Sequence, residues 1–517
     1  MKKFSLFILS FCSLFLYSQT DLQKPVAWVR ADSTELNVEF WRDISGNGYH
    51  FYPLSGSLPD TFSRMNFNKS FTLDETDCFM LPDFPLQGKR ITMMLVYRIE
   101  DTLSENSLWS LQLDTAVVGL TTQHIVCEQG KIRYSDSNRV SPVVNTLRHN
   151  WEGEYGTGNI LLGKSDSLPF QGRIAECLVF SGKINNTLFV QYISYLSVKY
   201  GITLFKTDYL NSDQTVIWDY RNNPDYSYSI AGIGKDLAMG LEQKQSYMLD
   251  EKIVIGLSSL AATNEENQAT MYQGDFLIWG FDSTLLDRYG TVYLEDGFEL
   301  EVYGNGLLQA TGAGASLHST FMQVDGSQWA KRGDIDEYYL LIDRSGTGNF
   351  LQSDVEFYMP DFVDSANVLH FSNIYWDTDN NGKDRFCFAK IPFDSLFVER
   401  SIIVNNSRNN IDKKNQNKAH KKMSDKNQRQ MAEKSATKNS YRLYSNPNRG
   451  KFTVEVRYAK ISDITIRIYT PDGKVVKVWS GQDQSSYRYE GEVFVKGQYM
   501  VDIEGGGERK SLKMVVQ

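Results

Sequence analysis

The chain has 517 residues, which at roughly 150 residues per domain excludes a single small module and leaves room for several hydrophobic cores. A formal net charge of -9 supplies no excess of cations to neutralise a phosphate backbone, so the composition argues against nucleic-acid binding by the whole chain. Aromatic residues make up 13%, with 29 Tyr and 29 Phe against 12 Pro, which suits half-buried pleated surfaces better than a helical bundle and predicts a mainly β protein.

At the N-terminus, Lys2 and Lys3 precede an apolar run over residues 4–17 that is too short to span a bilayer, and Ser18-Gln19-Thr20 then turns polar. This predicts a secretory signal peptide over residues 1–18. Cys12 does not fit a lipid-anchored signal, because Phe11 stands where a small residue is needed. No later stretch has about 18 consecutive apolar residues, so no transmembrane helix is expected. Cys78, Cys127, Cys177 and Cys387 form no CxxC pair, which leaves buried thiols or a disulfide open. The six histidines show no HExxH or HxH grouping, so a zinc enzyme is not expected.

Residues 24–205 read as a β-sandwich. The runs 90–97 (RITMMLVY) and 172–180 (GRIAECLVF) are its expected central strands. One helix is expected from Asn186 to Lys199, capped by Asn185 or Asn186 and ended by Gly201, with Leu188, Phe189, Tyr192, Ile193 and Leu196 as an apolar stripe on the sandwich. The motifs Ala27-Trp28-Val29-Arg30-Ala31-Asp32, Trp41-Arg42-Asp43-Ile44-Ser45-Gly46-Asn47-Gly48, Ile174-Ala175-Glu176 and Lys199-Tyr200-Gly201-Ile202-Thr203-Leu204 together resemble the LamG-like, concanavalin A-like jelly roll common in exported proteins of Bacteroidetes. In physical terms, Ser45-Gly46-Asn47-Gly48 supplies positive-φ residues for a tight turn, and Trp28 and Trp41 are expected to fill the sandwich core.

Residues 207–404 read as a second all-β region, one domain or two, with strand cores at 215–218, 228–234 and 275–280. The runs "SIAGIGKD", "GLEQKQS" and "DFLIWGFD" resemble an uncharacterised β domain that follows the LamG-like module in such proteins; the resemblance implies no activity. Residues 405–440 are rich in Lys, Asn, Gln and Ser and poor in apolar side chains, as in a disordered, solvated basic linker.

From residue 441 to 517 strand patterning returns, and a small C-terminal β-sandwich is expected. Ile464-Thr465-Ile466-Arg467-Ile468-Tyr469 alternates, and Pro471-Asp472-Gly473-Lys474 is a hairpin turn. The series "NPNRGKFTVEV", "IRIYTPDGKVV", "KGQYMVDIEGG" and "KMVVQ" resembles the type A C-terminal sorting domain of the type IX secretion system. Ser445 replaces the first Pro of that family's aromatic-Pro-Asn-Pro opening. The resemblance implies passage through periplasm and outer membrane, with the secretion machinery and a sortase as partners of the tail. The sortase typically removes the tail, then releases the protein or couples it to surface lipopolysaccharide. No catalytic residue is nominated.

Three motifs promise chemistry. Gly158-Asn159-Ile160-Leu161-Leu162-Gly163-Lys164-Ser165 has the letters of a P-loop, but its interior reads as a strand where a phosphate cradle needs a flexible loop and a following helix. Asp377-Thr378-Asp379-Asn380-Asn381-Gly382-Lys383-Asp384 opens like a calcium loop, with oxygen-bearing side chains at positions one, three and five before a Gly. Phe388 stands where an EF-hand needs a bidentate Glu, so the candidate is a β turn binding Ca2+ through Asp377, Asp379, Asn381 and Asp384; a plain polar turn is the alternative. The nearest approaches to a glycosidase carboxylate pair, Asp334-Ile335-Asp336-Glu337 and Glu299-Leu300-Glu301, do not reproduce an ExDxxE spacing.

Asp-Ser or Asp-Thr followed by a small or aliphatic residue or Thr begins at Asp32, Asp101, Asp114, Asp166, Asp282, Asp364 and Asp394. This resembles the O-glycosylation sequon of Bacteroidetes, although Asp-Ser is also common in turns. The expectation for the whole chain is a secreted or cell-surface protein that binds a glycan or protein, adhesin-like. The alternatives are a polysaccharide-degrading enzyme on the same fold and a structural component of the cell surface.

Overall fold

The structure is a computed structural model and describes residues 22–34, 39–54, 56–59, 62–100, 104–134, 141–150, 156–165, 168–248, 251–293, 299–329, 337–350, 355–391, 439–444, 451–470, 475–493 and 497–516. The expected signal peptide and the basic linker up to residue 438 lie outside them. The fold is mainly β, and the chain divides into two compact units, Met1–Val292 with Glu299–Phe397 and Tyr293–Phe298 with Val398–Gln517.

In the larger unit the two expected central strands are Arg90–Ile99 and Gly172–Ser181, antiparallel neighbours in the middle of a six-stranded sheet. A seven-stranded antiparallel sheet running from Tyr52–Pro53 to Gly130–Arg133 packs on it. The alternation of Arg90–Ile99 sends Ile91, Met93, Leu95 and Tyr97 into the core between these sheets and Met94 and Val96 to the opposite face. Trp41 is fully buried in that core with Phe71 and Phe79 around it, a burial worth roughly 1.5–3 kcal/mol for a large apolar side chain. Trp28 does not join it. Ala27 and Val29 face inward, so the period of two turns Trp28 to the other side of the sheet.

The loop after Trp41 is organised by one carboxylate. Asp43 Oδ1 accepts from the backbone N–H groups of Trp28 and Ser45, and Oδ2 accepts from Ser45 Oγ and the Tyr49 N–H, at 2.7–3.0 Å. Gly46 and Gly48 take φ of 92° and 79°, as the turn reading expects.

That second face of the sheet is covered by the helix Asn186–Tyr200. Asn185 Oδ1 accepts from the Leu188 N–H at 2.7 Å, and Gly201 closes the helix at φ 66°. The sequence leads one to expect a single apolar stripe, yet every residue from Gln191 to Tyr200 is buried. The cause is a second partner. Met94, Leu178 and Phe180 of the sandwich, Tyr192, Leu196 and Tyr200 of the helix, and Ile217, Trp218, Ile230 and Phe276 of the following region share one core.

That following region is a sandwich of its own, with an eight-stranded sheet and a five-stranded sheet enclosing a single core around Trp279, Leu308, Trp376 and Phe388. The strand cores read from sequence correspond to Val216–Trp218, Tyr228–Asp236 and Phe276–Phe281. The hairpin turn at Asn66 and Phe67, with φ of 48° and 66°, helps to join the two sandwiches. Asn66 Nδ2 donates to the Lys199 carbonyl at 3.0 Å, and its Oδ1 accepts from the Tyr247 N–H at 2.9 Å.

The smaller unit is a five-stranded antiparallel arrangement built on Lys451–Tyr469. Ile464, Ile466 and Ile468 are buried, as their alternation predicts, with Val454, Val501, Ile503 and Met514. The turn at 471–474 lies outside the described residues, while Tyr469 and Val475 on either side of it pair across the hairpin.

Candidate functional site

The candidate calcium turn is anchored by buried Trp376, whose Nε1 donates to Thr320 Oγ1 at 2.9 Å. Asp377 takes φ 51°, and its Oδ1 accepts from the Gly382 N–H at 2.7 Å, which folds the turn back on itself. The Asp377 N–H donates to Asp384 Oδ2 at 2.6 Å. Asn381 acts as a donor: its Nδ2 serves Asp379 Oδ2 and the Arg344 carbonyl, both at 2.7 Å. Asp377, Asp379 and Asn381 thus share one turn, and Asp384 stands at the start of the strand Lys383–Ile391 that leaves it.

The cation facing this turn is a side chain that the sequence does not point to. Arg344 Nη1 lies 2.7 Å from Asp384 Oδ2, and Nη2 lies 2.6 Å from Glu356 Oε2. Asp384 is fully buried, and its Oδ1 has no hydrogen-bond partner. Burial pushes the Asp384 carboxyl up to about 7 against the pull of Arg344, and burial also raises Asp377. Where the sequence offers Asp384 to a metal, the structure therefore pairs it with a guanidinium. Among the described residues no group of three or more His, Cys, Asp or Glu side chains is gathered so as to hold a metal ion.

A second charged cluster lies at the joint between sandwich and helix. Glu176, fully buried, accepts from Trp28 Nε1 at 2.6 Å and from Tyr195 OH, Tyr200 OH and Lys199 Nζ at 2.8 Å each. Lys199 Nζ also lies 2.8 Å from Asp32 Oδ2, and Arg30 Nη1 donates to the Gly240 carbonyl at 3.0 Å. Burial opposes the Lys199 charge, but Asp32 and Glu176 outweigh it and hold its pKa above the usual range. A register shift between Ile174 and Glu176 breaks the strand alternation and helps turn Glu176 toward the helix. The family-like motifs at 27–32, 174–176 and 199–204 supply nearly every member of this cluster, so they build a joint. The signal for it was available: a Glu inside the apolar run 172–180 and a Lys at a helix end bounded by tyrosines must be paired if buried.

Residues 157–162 form a strand between Ser107–Gln112 and Phe79–Pro85, and Lys164–Ser165 pairs with Leu168–Pro169, so strand follows strand where a P-loop needs a helix. Of the carboxylate candidates, Asp334 and Asp336 lie outside the described residues. Glu301 is buried, 3.7 Å from Lys390 Nζ and 3.5 Å from Arg288 Nη2. The four cysteines are buried and free. Of the sequon hydroxyls, Thr115, Ser283 and Ser365 are exposed, while Ser33 is half-buried and donates to the Arg30 carbonyl.

Residues 190–381 match a domain of unknown function (DUF8202), and residues 442–517 match the secretion system C-terminal sorting domain. No curated protein matches the chain. Among solved structures, domain 4 of AbnA, a GH43 extracellular arabinanase from Geobacillus stearothermophilus in complex with arabinotriose, is 14% identical over 31% of this chain and 94% of that one, with a TM-score of 0.25. The binding domain of botulinum neurotoxin serotype D is 10% identical over 73% and 98%, with a TM-score of 0.28. The N-terminal CBM22-1-CBM22-2 tandem domain of Xyn10C from Paenibacillus barcinonensis is 8% identical over 72% and 92%, at 0.17. Scores this low decide nothing about the fold or ligand of this chain. The sorting domain, in contrast, marks the chain for export through type IX secretion to the cell surface or the outside. Among the described residues no helix is long and apolar enough to cross a membrane.

Proposed function

We propose that the chain is an exported protein that binds a glycan or a protein at or beyond the cell surface, in the manner of an adhesin. The observation that carries this reading is the sorting domain at residues 442–517, which addresses everything before it to the outside. We take the first sandwich as a LamG-like module and the tail as the part a sortase removes. Release, or coupling to surface lipopolysaccharide, follows that cut.

Binding is favoured over hydrolysis by where the charges stand. Glu176, Glu301 and Asp384 are buried, each with a Lys or Arg within 4 Å, so they serve the fold. The exposed surface of the larger unit instead carries tyrosines, among them Tyr228, Tyr272, Tyr289 and Tyr375, residues suited to contacts that are apolar on one side and wet on the other. The test is to present the full chain to an array of extracellular glycans and surface proteins. Saturable binding to a defined class supports the reading. Release of reducing ends from a polysaccharide by the same preparation would favour the hydrolytic alternative, and no binding at all would contradict the proposal.

A further inference from the structure

Four loops of the larger unit are fastened together around Tyr272. The Leu237 N–H donates to Gln273 Oε1 at 2.9 Å, and the Gly274 N–H donates to the Lys235 carbonyl at 2.8 Å, which ties the loop 272–275 to the short helical turn Leu237–Met239. Asp275 joins the next loop: its Oδ1 accepts from the Gly314 N–H at 3.1 Å, and its Oδ2 lies 2.9 Å from His318 Nε2, both side chains being buried. Ser316 Oγ donates to Asn380 Oδ1 at 3.1 Å, which brings in the turn 377–384.

On this base Tyr272 is 63% exposed and nevertheless held. Its ring centroid lies 5.3 Å from that of His318 at an interplanar angle of 44°. Along one edge it packs on Gly314, where an added Cβ would stand 2.5 Å from Tyr272 Cδ2 and 2.6 Å from Asp275 Oδ2. An exposed aromatic ring ordinarily keeps its rotamer freedom and loses it on binding. Here a glycine and a buried His-Asp pair have already fixed it. Leu317 and Leu237, 67% and 61% exposed, stand on the loops tied to it, and the exposed Asp379, Asn380 and Asn381 stand on the adjoining turn.

We propose that Tyr272 is the stacking platform of a binding site for a neutral glycan, with Leu317 extending the apolar surface and the 379–381 turn supplying hydrogen-bond partners. A pyranose ring has one face of C–H groups to lay on a fixed aromatic surface and a rim of hydroxyls for amides and carboxylates. The exposed Asp379 carboxylate on the adjoining turn, which reaches the Tyr272 loops through the Ser316–Asn380 hydrogen bond, disfavours uronates and sulfated sugars and favours a neutral ligand. Gly314 and His318 are positioning residues. The proposal rests on the ligand-binding reading above and names its site and substrate class.

Affinity electrophoresis of the full chain in gels containing mannan, xylan or laminarin, with alginate as the acidic comparison, tests it. The chain is retarded by at least one neutral polymer; Tyr272→Ala weakens that retardation at least about tenfold, the scale of one lost aromatic stack. Tyr272→Phe keeps most of the affinity because the ring remains, and Gly314→Ala loses it because the new Cβ displaces the ring. Circular dichroism of Tyr272→Ala matches the parent, since the residue is exposed. Retardation unchanged in Tyr272→Ala overturns the platform and leaves the glycan-binding reading standing. Retardation by alginate alone overturns the neutral class. A parent chain retarded by none of the four overturns both the platform and the glycan arm of the function.

Discussion

Lys199 Nζ lies 2.8 Å from Glu176 Oε2, and both side chains are almost entirely shut off from water. The pair welds the helix to the sandwich beneath it, and three further donors, Trp28, Tyr195 and Tyr200, complete the shell of Glu176. Removing one partner strands a buried charge, which costs far more than the pair itself contributes. Lys199→Met is therefore expected to destabilise the larger unit by about 3–5 kcal/mol in urea unfolding followed by tryptophan fluorescence. The double variant Lys199→Met with Glu176→Gln should recover part of that loss. A single variant within about 1 kcal/mol of the parent would show that the cluster is solvated.

Asp384 predicts a pH dependence with a definite sign. Its folded pKa of about 7 stands above the ordinary value of 3.8, because burial outweighs Arg344. The folded state thus keeps a proton that the unfolded chain has already released. The group's contribution to stability is full below the unfolded value and is lost as pH rises toward the folded one. Thermal midpoints of the parent and of Asp384→Asn, measured from pH about 4 to about 7, should shift relative to each other in favour of the variant as pH rises. Parallel profiles would contradict the account.

For the turn 377–384, Arg344 supplies the charge that a calcium ion would bring. The full chain is expected to keep its thermal midpoint when EDTA replaces calcium. A midpoint that climbs with added calcium, and fails to climb in Asp379→Ala, would show that the turn binds the ion.

The exposed sequon hydroxyls give a chemical prediction. Mass spectrometry of peptides from the exported protein should find O-linked sugar at Thr115, Ser283 and Ser365, and none at Ser33, whose hydroxyl is spent on the Arg30 carbonyl. Bare peptides at all four positions would assign these Asp-Ser and Asp-Thr pairs to turn formation alone, as Asp364 already does for the Ala366 and Val368 N–H groups.

Much of this was legible where the physics is local. The strands Arg90–Ile99 and Gly172–Ser181, the Asn185 cap, the Gly201 stop and the 464–469 alternation all follow from side-chain period and backbone freedom. What lay hidden depends on partners far along the chain. Trp28 is buried on the far face of the sheet because Tyr192 and Tyr195 of the helix Asn186–Tyr200, far along the chain, pack on it there. Arg344 meets Asp384 only through strand pairing between Glu337–Asp343 and Lys383–Ile391. Tyr272 acquires meaning only once Gly314 and His318 fold against it. Periodicity reports which residues are buried, and it is silent on which buried charges will meet.

The claim that the tail is an export address is tested most directly by expressing the chain in a type IX-competent host with and without residues 441–517, fractionating cells and medium, and weighing the mature product. The account predicts that the full chain reaches the surface or medium without its tail, while the truncated chain is retained in the periplasm. A truncated chain exported as well as the full one would contradict it, and with it the reading of an extracellular ligand.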